Sequence, residues 1–262
     1  MPCDEGVAPA MAAKSPRYLL REAVVYTILK RVRPGRFLEI GTGNGNFLLF
    51  MHKLGWQGQA YDNSAQARAV ARQALAAAGV TGITVEDSMP EQGGFDAVCF
   101  FELLGYLEDP VDFLAALKPR LHANSRLVFS FTNSRHRGDA EKYSGDMACF
   151  DRHQVIAMLG AAGYRLDHLL NYGYPLSNML RPLLNRHYRK RHRSGQSVSV
   201  ADSGLEYARS GSGVSQLLCN RVTLWPFFLL QSLFRHTDLG TGYVVVATPG
   251  TDSGNEQDAG ER

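Results

Sequence analysis

Three glycines at alternate positions, Gly41, Gly43 and Gly45, follow the apolar run Phe37-Leu38-Glu39-Ile40, and a carboxylate, Asp62, closes the next apolar segment, Gly58 to Tyr61. Glycine allows positive φ and close backbone approach, and the helix expected from Asn46 to Leu54 would aim unpaired N–H groups at the negative end of a ligand. An acidic side chain about twenty residues beyond the first glycine can accept both hydroxyls of a ribose. Together these residues point to a cradle for a nucleotide-like ligand. Their spacing also separates ligands. Dinucleotide sites use G-x-G-x-x-G, whereas here the spacing is G-x-G-x-G and Asn46 stands at the third-glycine position, which disfavours a hydride-transfer cofactor. No Gly-Lys-Ser/Thr follows, so a Walker loop is excluded.

With Glu39 ahead of the glycines, this stretch resembles the class I S-adenosylmethionine (SAM)-dependent methyltransferases, specifically the small-molecule, quinone- and natural-product-type group with E-x-G-x-G-x-G and a downstream acidic residue. The resemblance covers roughly residues 17 to 173 and includes two further runs. Val85-Glu86-Asp87-Ser88-Met89-Pro90 is similar to the turn after the third strand, and Phe95 to Pro110 is similar to the fourth strand with its cofactor-contacting turn. The resemblance implies that Gly41, Thr42, Gly43 and Gly45 line the methionine portion of SAM and that Glu39 braces the loop. It implies that Asp62, with Asn63 beside it, holds the ribose, and that Asp87 faces the adenine amino group beside Ser88 and Met89. Phe101 and Glu102 would close the other side. Glu39 is also compatible with merely bonding local backbone amides.

The sulfonium of SAM makes its methyl group electrophilic, so transfer is one in-line displacement in which positioning supplies much of the acceleration. A general base is required only for a weakly acidic acceptor. Relatives often carry E-x-x-E-H after the fourth strand, but this chain reads Glu102-Leu103-Leu104-Gly105-Tyr106. Tyr106 thus replaces a histidine and is the one candidate catalytic side chain, able to hydrogen-bond an acceptor or to pack against the cofactor. A second histidine of the relatives is replaced by Cys149, ahead of Phe150, and His153 is expected to be exposed in the first turn of a helix. The implied activity is methyl transfer to a small-molecule or lipid-linked acceptor, oxygen slightly favoured over nitrogen and carbon, with S-adenosylhomocysteine as product. The alternative is a SAM-binding interaction or sensor protein without turnover.

The elements expected to position these residues alternate along a chain of 262 residues. A helix from Tyr18 to Val32 buries Leu19, Leu20, Ala23, Val24 and Ile28 and leaves Arg17, Arg21, Lys30 and Arg31 outside. Pro34-Gly35 stops it. Then come a strand to Ile40, a helix to Leu54, a strand to Tyr61, a helix from Ser64 to Ala78, and strands Ile83 to Glu86 and Phe95 to Phe101. Asp109-Pro110 opens the next helix, Leu127 to Phe131 is a fifth strand, and Asp151 with Gln154 forms a capping box for a helix ending near Ala162. Strands Tyr164 to Leu170 and Tyr243 to Ala247 complete the series. This order predicts an α/β, Rossmann-like, doubly wound and mostly parallel sheet with helices on both faces. The expected organisation is a flexible N-terminus over 1–16, a single domain over 17–249 with a helical insertion at about 174–237, and a flexible acidic tail over 250–262.

The insertion holds the basic run Arg186 to Arg193, a Ser/Gly-rich stretch through Gly213, and the aromatic-aliphatic segment Leu224 to Leu230. It is placed to form a lid. Basic residues near a Trp/Phe-rich helix suit peripheral contact with an anionic membrane at its inner face, while a solvated helix followed by an ordinary packed one explains the same letters. A nucleic-acid partner is disfavoured: the formal charge is only +3, and Phe101-Glu102-Leu103 stands where base-amino methyltransferases carry Asn/Asp-Pro-Pro-aromatic. Cys3, Cys99, Cys149 and Cys219 form no C-x-x-C pair, so neither a zinc site nor a disulfide framework is expected and a reducing cytoplasm fits. Asp4 and Glu5 stand where a signal peptide would be basic, and the longest apolar run falls short of the ~20 residues of a membrane span.

Overall fold

The computed structural model describes residues 14–91, 93–143, 148–193 and 221–250. Helix α1 (Pro16–Leu29) begins where the Ser15 hydroxyl accepts the Tyr18 amide and Pro16 takes the first turn, the usual place for a residue without an N–H. Strand β1 (Arg36–Ile40) leads through the glycines to α2 (Asn46–Lys53), then β2 (Gln57–Tyr61), α3 (Ala65–Ala77), β3 (Ile83–Glu86) and β4 (Phe95–Phe101). Helix α4 (Pro110–Ala116) is capped by Asp109, β5 (Leu121–Thr132) is followed by the short α5 (Asp139–Tyr143), and α6 (Arg152–Ala161) carries the expected Asp151/Gln154 capping box. Strand β6 (Tyr164–Tyr172), helices α7 (Leu176–Arg193) and α8 (Trp225–Leu233) and strand β7 (Gly242–Pro249) close the series.

The seven strands form one sheet in the order β3-β2-β1-β4-β5-β7-β6, with only β7 antiparallel to its neighbours. The order reverses between β1 and β4, which pair directly through Phe37–Ala97 to Ile40–Phe100. In open sheets of this kind ligands lie outside the carboxyl ends of the strands at that reversal. Residues alternate across the sheet into two apolar cores. Val25, Leu29, Phe47, Met51, Trp56 and Val128 pack on the face covered by α1 and α2. Leu38, Phe100, Leu114, Phe129 and Leu159 pack on the other, where the Phe100 and Phe129 rings stack at 4.7 Å.

Two expectations for α1 are corrected. The helix ends at Leu29 rather than Val32, and Arg17 and Arg21 do not face solvent with Lys30 and Arg31. Their side chains are 30% and 14% exposed and reach the carboxyl end of β4. Glu22, also on α1, is buried and paired with Lys14 at 2.8 Å and Arg221 at 2.6 Å.

The insertion leaves and re-enters the sheet between hydrogen-bonded neighbours, since Tyr172 of β6 sits opposite Gly242 of β7. Gln231 of α8 docks it: its Nε2 donates to the Leu20 carbonyl at 3.0 Å, and its Oε1 accepts the Gly173 amide at 3.2 Å. The Ser/Gly-rich stretch, Cys3, Cys219 and both termini lie outside the described residues; Cys99 and Cys149 are free thiols. Among the described residues no helix is long and apolar enough to cross a membrane.

Candidate functional site

The glycine loop after β1 has a fixed shape because all three glycines adopt positive φ: 81° at Gly41, 52° at Gly43 and 75° at Gly45. A side chain at Gly41 or Gly43 would meet nothing within 4 Å, whereas one at Gly45 would lie 3.1 Å from Ala71 Cα. The first two glycines therefore face open space, and the third lets α2 pack against α3. Glu39 lies beneath the loop, buried, and its Oε2 accepts the Thr42 hydroxyl at 3.1 Å. Burial pushes its carboxyl up to about 8 against the opposing pull of that hydroxyl and of Arg21.

Asp62 joins the loop to the end of β2. One of its oxygens accepts the Gly43 amide at 3.0 Å and the other the Ser64 amide at 2.9 Å, and each oxygen keeps a second lone pair for a ligand hydroxyl. Arg68 of α3 holds the same turn by donating to the carbonyls of Asp62 at 2.7 Å and Asn63 at 3.2 Å. Asn63 itself is exposed and accepts the Tyr61 hydroxyl at 2.7 Å. Asp87, after β3, is bound by Arg72 at 2.8 Å and Arg68 at 3.3 Å. Hydrogen bonding by Arg72 holds its carboxyl below the usual range although it lies on the surface. Ser88 is exposed, and Met89 packs half-buried against the second core.

Across the crevice, Glu102 directly follows β4 and is the only described non-glycine residue with positive φ, 55°. Such a conformation is uncommon and persists only where surroundings fix it. Here five side chains fix it. Arg17 donates at 2.9 Å, Thr132 at 2.9 Å and Ser130 at 2.8 Å, the Tyr172 hydroxyl donates a short bond, and Arg21 stands 3.7 Å away. Burial alone would raise the carboxyl, but Arg17 and then Arg21 outweigh it and hold Glu102 down at about 2. Tyr172 is pushed up to about 12, chiefly by burial. The Arg21 guanidinium lies 4.8 Å from the centre of the Phe101 ring, within cation–π range. Arg17 continues to Glu141 of α5 at 3.9 Å, which Arg181 of α7 meets at 2.6 Å. An ionic chain thus runs from the insertion to the end of β4.

A family model described as a methyltransferase domain matches residues 12–169. The chain belongs to the methyltransferase family. Its fold is shared with solved S-adenosylmethionine-dependent methyltransferases, and no curated protein sequence matches it significantly. Among solved structures, an S-adenosylmethionine-dependent methyltransferase from Mesorhizobium loti is 17% identical with a TM-score of 0.53, covering 87% of this chain and 99% of its own. The YcgJ protein from Bacillus subtilis is 11% identical with a TM-score of 0.56, covering 88% and 99%. The cyclase SpnF is 15% identical with a TM-score of 0.59, covering 94% and 88%. At these identities the likeness concerns the fold.

The methyltransferase's own residues fit its cofactor: the loop presents a floor without side chains to open space, backed by a buried Thr42–Glu39 pair and edged by Asp62. Tyr106 closes a single 3-10 turn, Leu104–Tyr106, and is half-buried. His153 is exposed. Arg17, Arg21, Ser130, Thr132 and Tyr172 were not legible as site residues in the sequence, because no local window connects them to Glu102. The one signal was a pair of arginines four apart on α1, which periodicity assigns to solvent. His136 lies in the turn Ser134–His136 after β5. Burial, then the Arg181 charge, lower its pKa, so it is neutral at neutral pH. Among the described residues no group of three or more His, Cys, Asp or Glu side chains could hold a metal ion.

Proposed function

We propose that this methyltransferase transfers a methyl group to a small-molecule or lipid-linked acceptor, most readily at oxygen, with Glu39, Gly41, Thr42, Gly43, Gly45, Asp62 and Asn63 holding one half of the cofactor. Asp87, Ser88, Met89, Phe101 and Glu102 border the rest. The observation that carries this reading is the loop in which Gly41 and Gly43 face open space while Asp62 clamps the Gly43 amide. When bound, SAM supplies an electrophilic methyl on a sulfonium. The chain's residues orient and exclude: Asp62 accepts hydroxyls, the glycines permit close approach, and the Glu102 network keeps one wall rigid and charged.

Glu102 is not a base in this scheme, since two guanidinium groups hold it ionised with its oxygens engaged. For a hydroxyl acceptor, Tyr106 is the side chain assigned to orient it. A lipid-linked acceptor is supported by Trp225, Leu229 and Leu233, exposed along one stripe of α8, and by the basic α7. Flotation with anionic vesicles tests peripheral contact.

A second reading, SAM binding without turnover, is favoured by the full engagement of Glu102 and by Tyr106 in place of a histidine. Isothermal titration with SAM, S-adenosylhomocysteine and NAD tests the cofactor half: selective binding of the two adenosyl compounds is expected, and binding of neither overturns the proposal. Formation of S-adenosylhomocysteine across a panel of phenolic, amine and lipid acceptors then separates enzyme from binding module.

A further inference from the structure

We propose that a basic cavity at the opposite end of the sheet binds a phosphorylated small molecule. The cavity, ≈ 230 Å³, lies between the end of α1, β5, β6 and the segment after α8. Three arginines, Arg31, Arg126 and Arg235, and two histidines, His168 and His236, line it over an apolar floor that includes Ile28 and Leu170, and no carboxylate is among the described lining residues. Arg126 is half-buried on β5, and neither its guanidinium nor that of Arg31 makes a hydrogen bond or ion pair among the described residues. The Arg235 Nε bonds the neighbouring His236 ring at 3.1 Å.

Several arginines elsewhere are matched by carboxylates. Arg17 meets Glu102, Arg181 meets Glu141 and Arg221 meets Glu22. Three guanidinium groups left in one concavity without an acid repel one another, and a multiply charged anion removes that repulsion. Guanidinium forks match phosphate oxygens in pairs of hydrogen bonds. The volume corresponds to about eight waters at ~30 Å³ each, room for a diphosphate or a phosphate ester with a small apolar part resting on Ile28 and Leu170. Arg126 lies opposite Ala97 near the start of β4, while Glu102 follows its end, about 16 Å away at ~3.3 Å per residue. The cavity is therefore separate from the cofactor crevice, although α1 touches both.

The test is isothermal titration of the full chain with pyrophosphate and with inorganic phosphate at matched ionic strength. One pyrophosphate per chain is expected, bound more tightly than phosphate, with affinity falling at least tenfold in the Arg31→Gln/Arg126→Gln variant while its melting temperature does not fall and its SAM affinity is unchanged. If the double variant does not fold, Arg31→Gln alone, on an exposed turn, must still weaken binding several-fold. Equal affinity in wild type and variant, or no saturable binding, overturns the proposal. Sedimentation with phosphatidic acid vesicles distinguishes the sources: pyrophosphate-reversible sedimentation, lost in the variant, assigns a lipid headgroup. Pyrophosphate binding without sedimentation assigns a soluble ester.

Discussion

Arg17 on the first helix and Glu102 at the end of β4, 85 positions apart, meet at 2.9 Å and hold the one described non-glycine residue with left-handed backbone. The pair is only partly shielded, with side chains 30% and 23% exposed, so its worth lies between that of a surface bridge and that of a buried one. Its position matters more than its energy. It ties the N-terminal helix to the crevice where the strand order reverses.

Removing Arg17 leaves Glu102 with Arg21 as its remaining cation, 3.7 Å away, and Arg17→Ala is expected to cost about 1–3 kcal/mol. Glu102→Gln should cost less, and in the double variant the two losses should not add. A double-mutant cycle by urea denaturation measures the coupling; strictly additive losses would show that the contact has no energetic role.

Asp62→Ala removes the acceptor of the Gly43 amide as well as the expected ribose contact. SAM affinity should fall by about 1–3 kcal/mol, roughly five- to 150-fold, by isothermal titration. Unchanged affinity sinks the assignment of Asp62.

Gly41 and Gly45 should respond differently to alanine. Both pay a conformational penalty on the order of 1 kcal/mol for φ values of 81° and 75°. At Gly41 the added methyl points into the open space proposed for the cofactor, so SAM binding should drop more than stability. At Gly45 it presses on Ala71 at 3.1 Å, so the melting temperature should fall further. Parallel melting and titration curves decide.

Glu39 and Glu102 give opposite pH dependences. Glu39 is raised in the fold to about 8 from 4.5, so its contribution is full below the unfolded value and is lost as pH rises through 8. Glu102 is lowered to about 2, so its contribution is present above the unfolded value and is lost as pH falls toward 2. Glu39→Gln should match wild type near pH 4 and become the more stable protein as pH rises from 5 to 9. Denaturation midpoints across that range check the sign.

The strands were largely legible because each is an apolar run closed by turn-forming residues; β3 and β4 run over the same residues in sequence and structure. The glycine loop and Asp62 were legible for the same local reason. What the sequence hid is long-range pairing. Hydrophobic periodicity on α1 reads any arginine as solvent-facing, and nothing near Arg17 or Arg21 announces a carboxylate at position 102. Asp87 likewise gives no sign of Arg68 and Arg72, and the basic cavity is assembled from four separate segments, none of them unusual alone.

The excursion from residue 173 to 241 begins and ends on adjacent strands, with Tyr172 facing Gly242. For the sheet it is a hairpin turn of arbitrary size, and because loop-closure cost grows only with the logarithm of length, its content is nearly invisible to the register on either side. Such a junction is a splice point. A different cassette could be grafted there with the register of β6 and β7 intact, and one that kept Arg181 and Gln231 would also keep the ties to Glu141 and Leu20, so recognition could change while the crevice wall stays anchored.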